Sequence, residues 1–323
     1  MKIIITGSGG QLGTDTLAEL TTRGHLVTPF TSKELDITDA GAVASSIAAS
    51  APDVIVNCAA YTAVDKAETD KERAFAVNAD GVRNLAVAAK EAGAAIVHIS
   101  TDFVFDGKGG GTATEPYTDK DATAPLGVYG SSKLAGEVAL AETLPEHIII
   151  RTSWLYGAHG NNFVNTMLRL AKERESLKVV SDQLGSPTWT KDLARAISVI
   201  VERIGEAGAK EAGAKETESA IWGIYGYSNR GVASWYDLAV AAISEARETS
   251  LGADIVCTSV SPIPATEYPT PATRPSYSVL DTAKIERVFG VTVPDWKGSL
   301  KEMIKEVLKI ESKVTQTEVG NEA

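Results

Sequence analysis

Tyr129 and Lys133 stand one helical turn apart in the run Val128–Lys133 (VYGSSK), and Thr101 lies upstream in Ser100-Thr101-Asp102. A spacing of four places both side chains on one helix face. A lysine ammonium there favours the phenolate and is expected to pull the tyrosine pKa below its usual value of about 10. That would make Tyr129 a proton donor near neutral pH. A Thr101 hydroxyl beside it can donate to the same carbonyl oxygen, giving a three-point arrangement around a hydride acceptor. Among 9 tyrosines in 323 residues the spacing alone is weak. Its weight comes from what surrounds it.

The chain opens on Gly7-x-x-Gly10-x-x-Gly13, directly after an apolar run and at the start of a helical pattern. That context lets the backbone approach a pyrophosphate with a helix N-terminus facing it, as in dinucleotide sites. An acidic residue closing the second strand would bind the ribose 2′-hydroxyl of NAD. Here Phe30-Thr31-Ser32-Lys33 precedes the first carboxylate, Glu34. Hydroxyls and a lysine suit a 2′-phosphate, so NADPH is preferred, with NADH possible. Asp36-Ile37 would then lie near the adenine. Asn57 through Thr62 (NCAAYT) follows the third strand, where small residues admit the nicotinamide half.

These groups need a scaffold. Lys2–Thr6, His25–Pro29, the run around Val54–Asn57, Ala95–Ser100 and His147–Arg151 read as strands. Helical patterns separate them over about 11–23, 39–50, 72–92 and 126–142. Alternation of this kind predicts an α/β fold, a Rossmann-type doubly wound parallel sheet with helices on both faces. Ligands sit at the carboxyl ends of such strands, where Gly7, Asn57, Ser100 and Arg151 fall. The expected division is a dinucleotide-binding domain over 1–156, with 188–204 returning to it. A smaller C-terminal substrate-binding lobe would comprise 157–187 and 220–310. The tandem Glu206–Lys210 and Glu211–Lys215 (EAGAK twice) predicts a low-complexity loop over 205–219. The polar tail 311–323 is expected to be disordered.

Bulk properties narrow the partners. A net charge of -11 argues against nucleic acid, whose binding relies on basic surface. No apolar run approaches the ~20 residues of a membrane span, and the first strand is too short for a signal peptide, so a cytoplasmic protein is expected. Cys58 and Cys257 form no framework, and Cys58 is expected to be a buried, inert thiol. The 4 histidines form no metal-ligand cluster, so no metal-binding residue is assigned.

Several segments, in order over nearly the whole chain, resemble the dTDP-4-dehydrorhamnose reductase family of the extended short-chain dehydrogenase/reductase superfamily. They are Gly10–Gly13 (GQLG), Asn57–Glu68 (NCAAYTAVDKAE), Ser100–Gly107 (STDFVFDG) and Tyr129–Glu137 (YGSSKLAGE). Arg151–Gly157 (RTSWLYG), Asn161–Leu170 (NNFVNTMLRL) and Pro271–Pro275 (PATRP) continue the match. Phe103 departs from it, where the family carries Tyr, and the EAGAK repeat resembles an insertion. The resemblance implies NAD(P)H-dependent reduction of the 4-keto group of dTDP-4-dehydro-L-rhamnose to dTDP-L-rhamnose. It implies Tyr129 as proton donor, Lys133 as the residue binding the nicotinamide ribose, and Thr101 in place of a more common serine. Gly7, Gly10, Gln11, Leu12, Gly13, Asp36, Ile37, Ala60, Tyr61 and Thr62 would meet the cofactor alongside Tyr129 and Lys133. Thr62, Val64, Thr101, Asp102 and Trp154 would surround the sugar. Arg274 either binds diphosphate or braces a loop. A Mg2+ requirement and the choice between monomer and homodimer stay open. Two other readings compete: a dehydratase or epimerase of the same superfamily, and a non-catalytic reductase-like regulatory subunit. Dehydratases place an acidic pair after the threonine, whereas Asp102 precedes Phe103. The intact Thr101, Tyr129 and Lys133 argue against the regulatory subunit.

Overall fold

Strand β1 (Lys2–Thr6) is buried from its second residue onward, and β3 (Val54–Asn57) and β4 (Ala95–Thr101) are buried throughout. Near-continuous burial of this kind belongs to a parallel sheet covered on both faces. The computed structural model describes residues 1–111, 114–210 and 221–321, with the side chains of 208–210 and 311–321 outside that description. Its main sheet is completed by β2 (Leu26–Phe30), β5 (His147–Thr152) and β6 (Gly223–Tyr227), in the order β6-β5-β4-β3-β1-β2. All five pairings are parallel. Pro29, which lacks a backbone N–H, sits on the edge strand β2, where that loss is tolerated.

Alternate residues feed two cores. Ile3, Ile5, Val54, Val56, Val97, Ile148 and Ile150 face one side, and Ile4, Ile55, Ile96 and Ile149 the other. Helix α1 (Gln11–Thr22) covers the first side, and α2 (Ala40–Ser50), α3 (Gly81–Ala92) and α4 (Val128–Thr143) cover the second. Helix α5 (Thr190–Lys210) returns from the second lobe to α1 and buries Leu193, Ile197, Ile200, Val201 and Ile204. Their spacing is that of one apolar helix face. Each such side chain contributes about 1.5–3 kcal/mol of burial.

The helix expected over 72–92 is interrupted. Lys71–Phe75 is α-helical, Ala76–Asp80 is a π turn, and α3 follows. The bulge aims Asn78 inward, where its side chain accepts from Tyr61 N (2.8 Å) and donates to Tyr61 O (3.1 Å) and Ser132 Oγ (3.0 Å). The loop after β3 is thereby tied to the helix carrying Tyr129.

The second lobe contains helices Phe163–Glu173 and Trp235–Arg247 and the parallel pair Ser176–Val180 and Ser259–Ile263. The last pairing carries the start of a segment rich in proline, with Pro262 in register with Val179. Three further differences concern the expected boundaries. Gly223–Tyr227 joins the main sheet, and Ile285, Phe289, Val291 and Val293 pack in its core, so those parts of 220–310 leave the lobe. Glu206–Lys210 is helical rather than loop, because it continues α5, while 211–219 falls outside the described residues. The final helix, Trp296–Asn321, runs through most of the segment expected as a disordered tail.

Candidate active site

The turn from β1 to α1 is made by glycines for a packing reason. A Cβ on Gly13 would lie 2.2 Å from Gly7 O, so only hydrogen lets the helix start this close to the strand. Helix α1 has Gly10 as its N-cap with no side-chain cap, leaving first-turn N–H groups to face the adjoining cleft. That cradle fits a pyrophosphate.

Helix α4 enters the same cleft from the far side of β4. Its first N–H, from Val128, is capped by Glu68 Oε1 at 2.8 Å. A Cβ on Gly130 would lie 2.1 Å from Phe103 O, so this glycine lets the helix settle on the turn after β4. Phe103 then places its ring edge-on to Tyr129, with centroids 5.5 Å apart.

One cleft of about 2050 Å3 between sheet and lobe collects every residue expected from the sequence to serve catalysis, cofactor or sugar. Gly7, Gly10, Gln11, Leu12, Gly13, Asp36, Ile37, Ala60, Tyr61 and Thr62 line one stretch of it. Thr101, Asp102, Tyr129 and Lys133 form the middle, and Val64 and Trp154 lie among them. Gln11 is more occupied than expected: its amide meets Leu155 O and Asn162 Nδ2, both at 3.4 Å, and so touches the second lobe. Glu34 is tied back to Thr31 N and Oγ1, both at 2.8 Å, which leaves Lys33 as the nearby charge free of such bonds. Cys58 corrects the expectation of a buried thiol, being only half-buried and on the cleft wall. Desolvation still pushes its pKa up to about 12, so it stays un-ionised.

Electrostatics in the middle of the cleft differ from the sequence reading. Tyr129 is raised to about 12, not lowered: desolvation dominates, Asp102 adds to it, and a hydrogen bond from Thr101 opposes it. The Lys133 ammonium is engaged on the backbone of β4 instead. Its Nζ donates to Ile99 O at 2.6 Å and lies 3.4 Å from His98 Nε2. Burial lowers Lys133 to about 8 against the opposing charge of Glu137. Asp102, 2% exposed, is raised to about 6 by burial, with hydrogen bonds from Ser278 and Thr101 resisting.

Trp154 adopts a left-handed backbone at φ 49° and stacks on Trp235 with ring centroids 3.6 Å apart. Arg274 braces rather than waits for a ligand: its guanidinium grips Asp65 through two bonds of 2.5 and 2.7 Å. Both residues line the cleft. Sequence reasoning missed His98 and Glu137 beneath the floor. A histidine within an otherwise apolar strand and a glutamate four residues past Lys133 were the available signals.

Among the described residues, one group has metal-ligand spacing: Asp15, His159 and Glu306, with ligand atoms within 4.8 Å. Thr190 Oγ1 donates to Asp15 at 2.5 Å, and Lys191 pairs with Glu306. Mg2+ favours oxygen ligands, so an imidazole and an adjacent ammonium make this donor set a poor fit.

Comparisons with known proteins give the family. The family model described as RmlD substrate binding domain matches residues 1–309. A dTDP-4-dehydrorhamnose reductase of Salmonella typhimurium is 42% identical over 314 residues, covering 95% of this chain and 98% of the relative. The chain belongs to the dTDP-4-dehydrorhamnose reductase family. A solved member from Clostridium acetobutylicum superposes with a TM-score of 0.84 at 40% identity, covering 95% of this chain and all of that one. A Bacillus anthracis member, solved in complex with NADP, gives 0.82 at 38% identity, covering 94% and 99%. A UDP-glucose 4-epimerase from Thermus thermophilus shares the fold at 19% identity and a TM-score of 0.73. Among the described residues no helix is long and apolar enough to cross a membrane.

Proposed function

We propose that this chain reduces the 4-keto group of dTDP-4-dehydro-L-rhamnose with NADPH, yielding dTDP-L-rhamnose. The observation that carries the reading is the convergence of Thr101, Tyr129 and Lys133 between the glycine cradle and Trp154 in one cleft. Family membership supports the substrate, and the NADP-bound relative supports the cofactor. The bound nicotinamide supplies the hydride to C4. Tyr129 gives its proton to the oxygen that becomes the hydroxyl, while the Thr101 hydroxyl steadies the same oxygen. With a pKa near 12, Tyr129 is protonated at neutral pH and ready for the reductive direction. Lys133 has N–H groups to spare beyond the one on Ile99 O and holds the nicotinamide ribose. Lys33, beside hydroxyls and a tied-back Glu34, favours the 2′-phosphate of NADPH over NADH.

Thr62, Val64, Asp102 and Trp154, which line the cleft, would surround the sugar. No acidic pair follows Thr101, which favours reduction over dehydration. Mixing the protein with NADPH and the keto-sugar nucleotide should consume both in equal amounts. Tyr129→Phe should lower turnover by the ~10²–10⁴-fold of a lost general acid while leaving NADPH affinity within a few-fold. Near-normal turnover by this variant would remove Tyr129 from its role.

A further inference from the structure

His98 projects from the middle of β4 and is 0% exposed, directly beneath Lys133. Its ring is held by a chain of bonds that fixes its tautomer. Asn57 Oδ1 accepts from Thr6 Oγ1 at 2.7 Å and from Ala59 N at 3.0 Å. A backbone N–H can only donate, so the amide oxygen of Asn57 is placed unambiguously. Asn57 Nδ2 therefore donates to His98 Nδ1, 3.0 Å away. That nitrogen carries a lone pair, and the proton of the neutral ring sits on Nε2. An imidazolium is excluded, because it would set an N–H against the Asn57 amide hydrogens. Burial and the Lys133 charge both hold the ring's pKa well below its ordinary value.

The consequence falls on Lys133. Nε2–H faces Nζ at 3.4 Å, and Ile99 O takes one lysine hydrogen at 2.6 Å. A histidine presenting an acceptor would take a second. One presenting a donor takes none, leaving two lysine hydrogens for the cleft. We propose that His98 is a positioning residue for Lys133, its Nε2–H tautomer keeping the lysine hydrogens directed at the cleft and opposing the ammonium from below. The other groups around Lys133 are Glu137, one turn on along α4 and paired with Arg151 of β5, the Cys58 thiol after β3, and Tyr129 one turn back. Glu137 favours the ammonium and the un-ionised Cys58 thiol adds no charge, whereas the Nε2–H of His98 faces Nζ with a hydrogen of its own.

The inference rests on Lys133 holding the cofactor ribose, and its test uses cofactor binding without sugar, so an incorrect sugar assignment leaves it standing. NADPH affinity would be measured by equilibrium fluorescence titration from about pH 7 to about pH 10, spanning the lysine titration. For the unaltered protein, affinity should fall as pH rises through about 8, where Lys133 loses its proton. His98→Asn keeps an acceptor for Asn57 but removes the N–H facing Lys133. Its midpoint should move upward, resolvably above that of the unaltered protein, since a donor facing the ammonium disfavours the charged form. His98→Leu should shift it in the same direction and serves as a second variant if the first melts early. A purely structural histidine would lower the melting temperature and leave the midpoint in place. An unmoved midpoint in either folded variant overturns the proposal, and failure of the unaltered protein to bind NADPH removes it together with the cofactor reading.

Discussion

Tyr129 and Lys133 show how far residue spacing can be trusted. Position i,i+4 on α4 was readable, and so was the company of Thr101. The sign of the tyrosine shift was not, because it depends on where Nζ points. Nζ points at Ile99 O, and burial then controls the phenol. Trp154 poses a similar question of function against packing. It lines the cleft, yet it also stacks on Trp235 and holds φ at 49°. Because it is only partly buried, Trp154→Ala should cost less than the ~3–5 kcal/mol of a core aromatic. Its loss should raise the sugar-nucleotide KM about tenfold or more, equivalent to at least ~1.4 kcal/mol where KM reports binding. Melting and KM on the same variant decide between the roles. A sharply lower melting temperature with unchanged KM would make Trp154 structural.

At the scale of elements, the parallel sheet was legible because β-branched runs of four to seven residues alternate with helical periods. The π turn at Ala76–Asp80 was not: nothing in an apolar period announces one extra residue per turn. Its effect appears only once Asn78 is seen gripping Tyr61 and Ser132. The join between α4 and β5 was equally hidden. Glu137 Oε2 accepts from Arg151 Nη2 at 2.7 Å, and Oε1 accepts from Ser100 Oγ at 2.5 Å, with both charged side chains at most 5% exposed. Arg151 also lies 5.0 Å from the Phe105 ring centroid. Removing one partner strands the other charge in the interior. Glu137→Ala should therefore cost about 3–5 kcal/mol of stability, read by urea denaturation. Replacing both residues with apolar side chains of similar volume should restore much of that loss, since the desolvation penalty disappears with the charges. A single variant as stable as the parent would show that the pair does not hold the two elements together.

Across the whole molecule, the cleft is walled by two lobes whose sequence boundaries are interleaved. The alternation of strands and helices set a boundary at 156 but could not show that Gly223–Tyr227 returns to the sheet, since a short apolar strand reads alike in either lobe. Besides Gln11, Arg274 of Pro271–Pro275 joins the walls over the cleft, gripping Asp65 beyond β3 while Ala272 N donates to the same carboxylate at 3.1 Å. The hydrogen bonds from Arg274 hold the Asp65 carboxyl below the usual carboxylate range. A depressed carboxylate pKa means the bridge is fully present above the unfolded-state value and is lost as pH falls through the folded one. The pair is partly exposed, so solvent screens it and its contribution to global stability is small. On the proposed function, its value lies in closing the side of the cleft assigned to the sugar. Arg274→Ala should leave the melting temperature within a few degrees, as for other exposed pairs. It should raise the sugar-nucleotide KM by about tenfold, a differential of ~1.4 kcal/mol, with NADPH affinity changed by less than a few-fold. The glycine cradle and Lys133 lie on the sheet side and are untouched by the change. Steady-state kinetics with each substrate varied in turn separate these outcomes. Equal losses for NADPH and sugar would mean that the bridge organises the entire cleft, and no loss for either would reduce it to a surface ion pair.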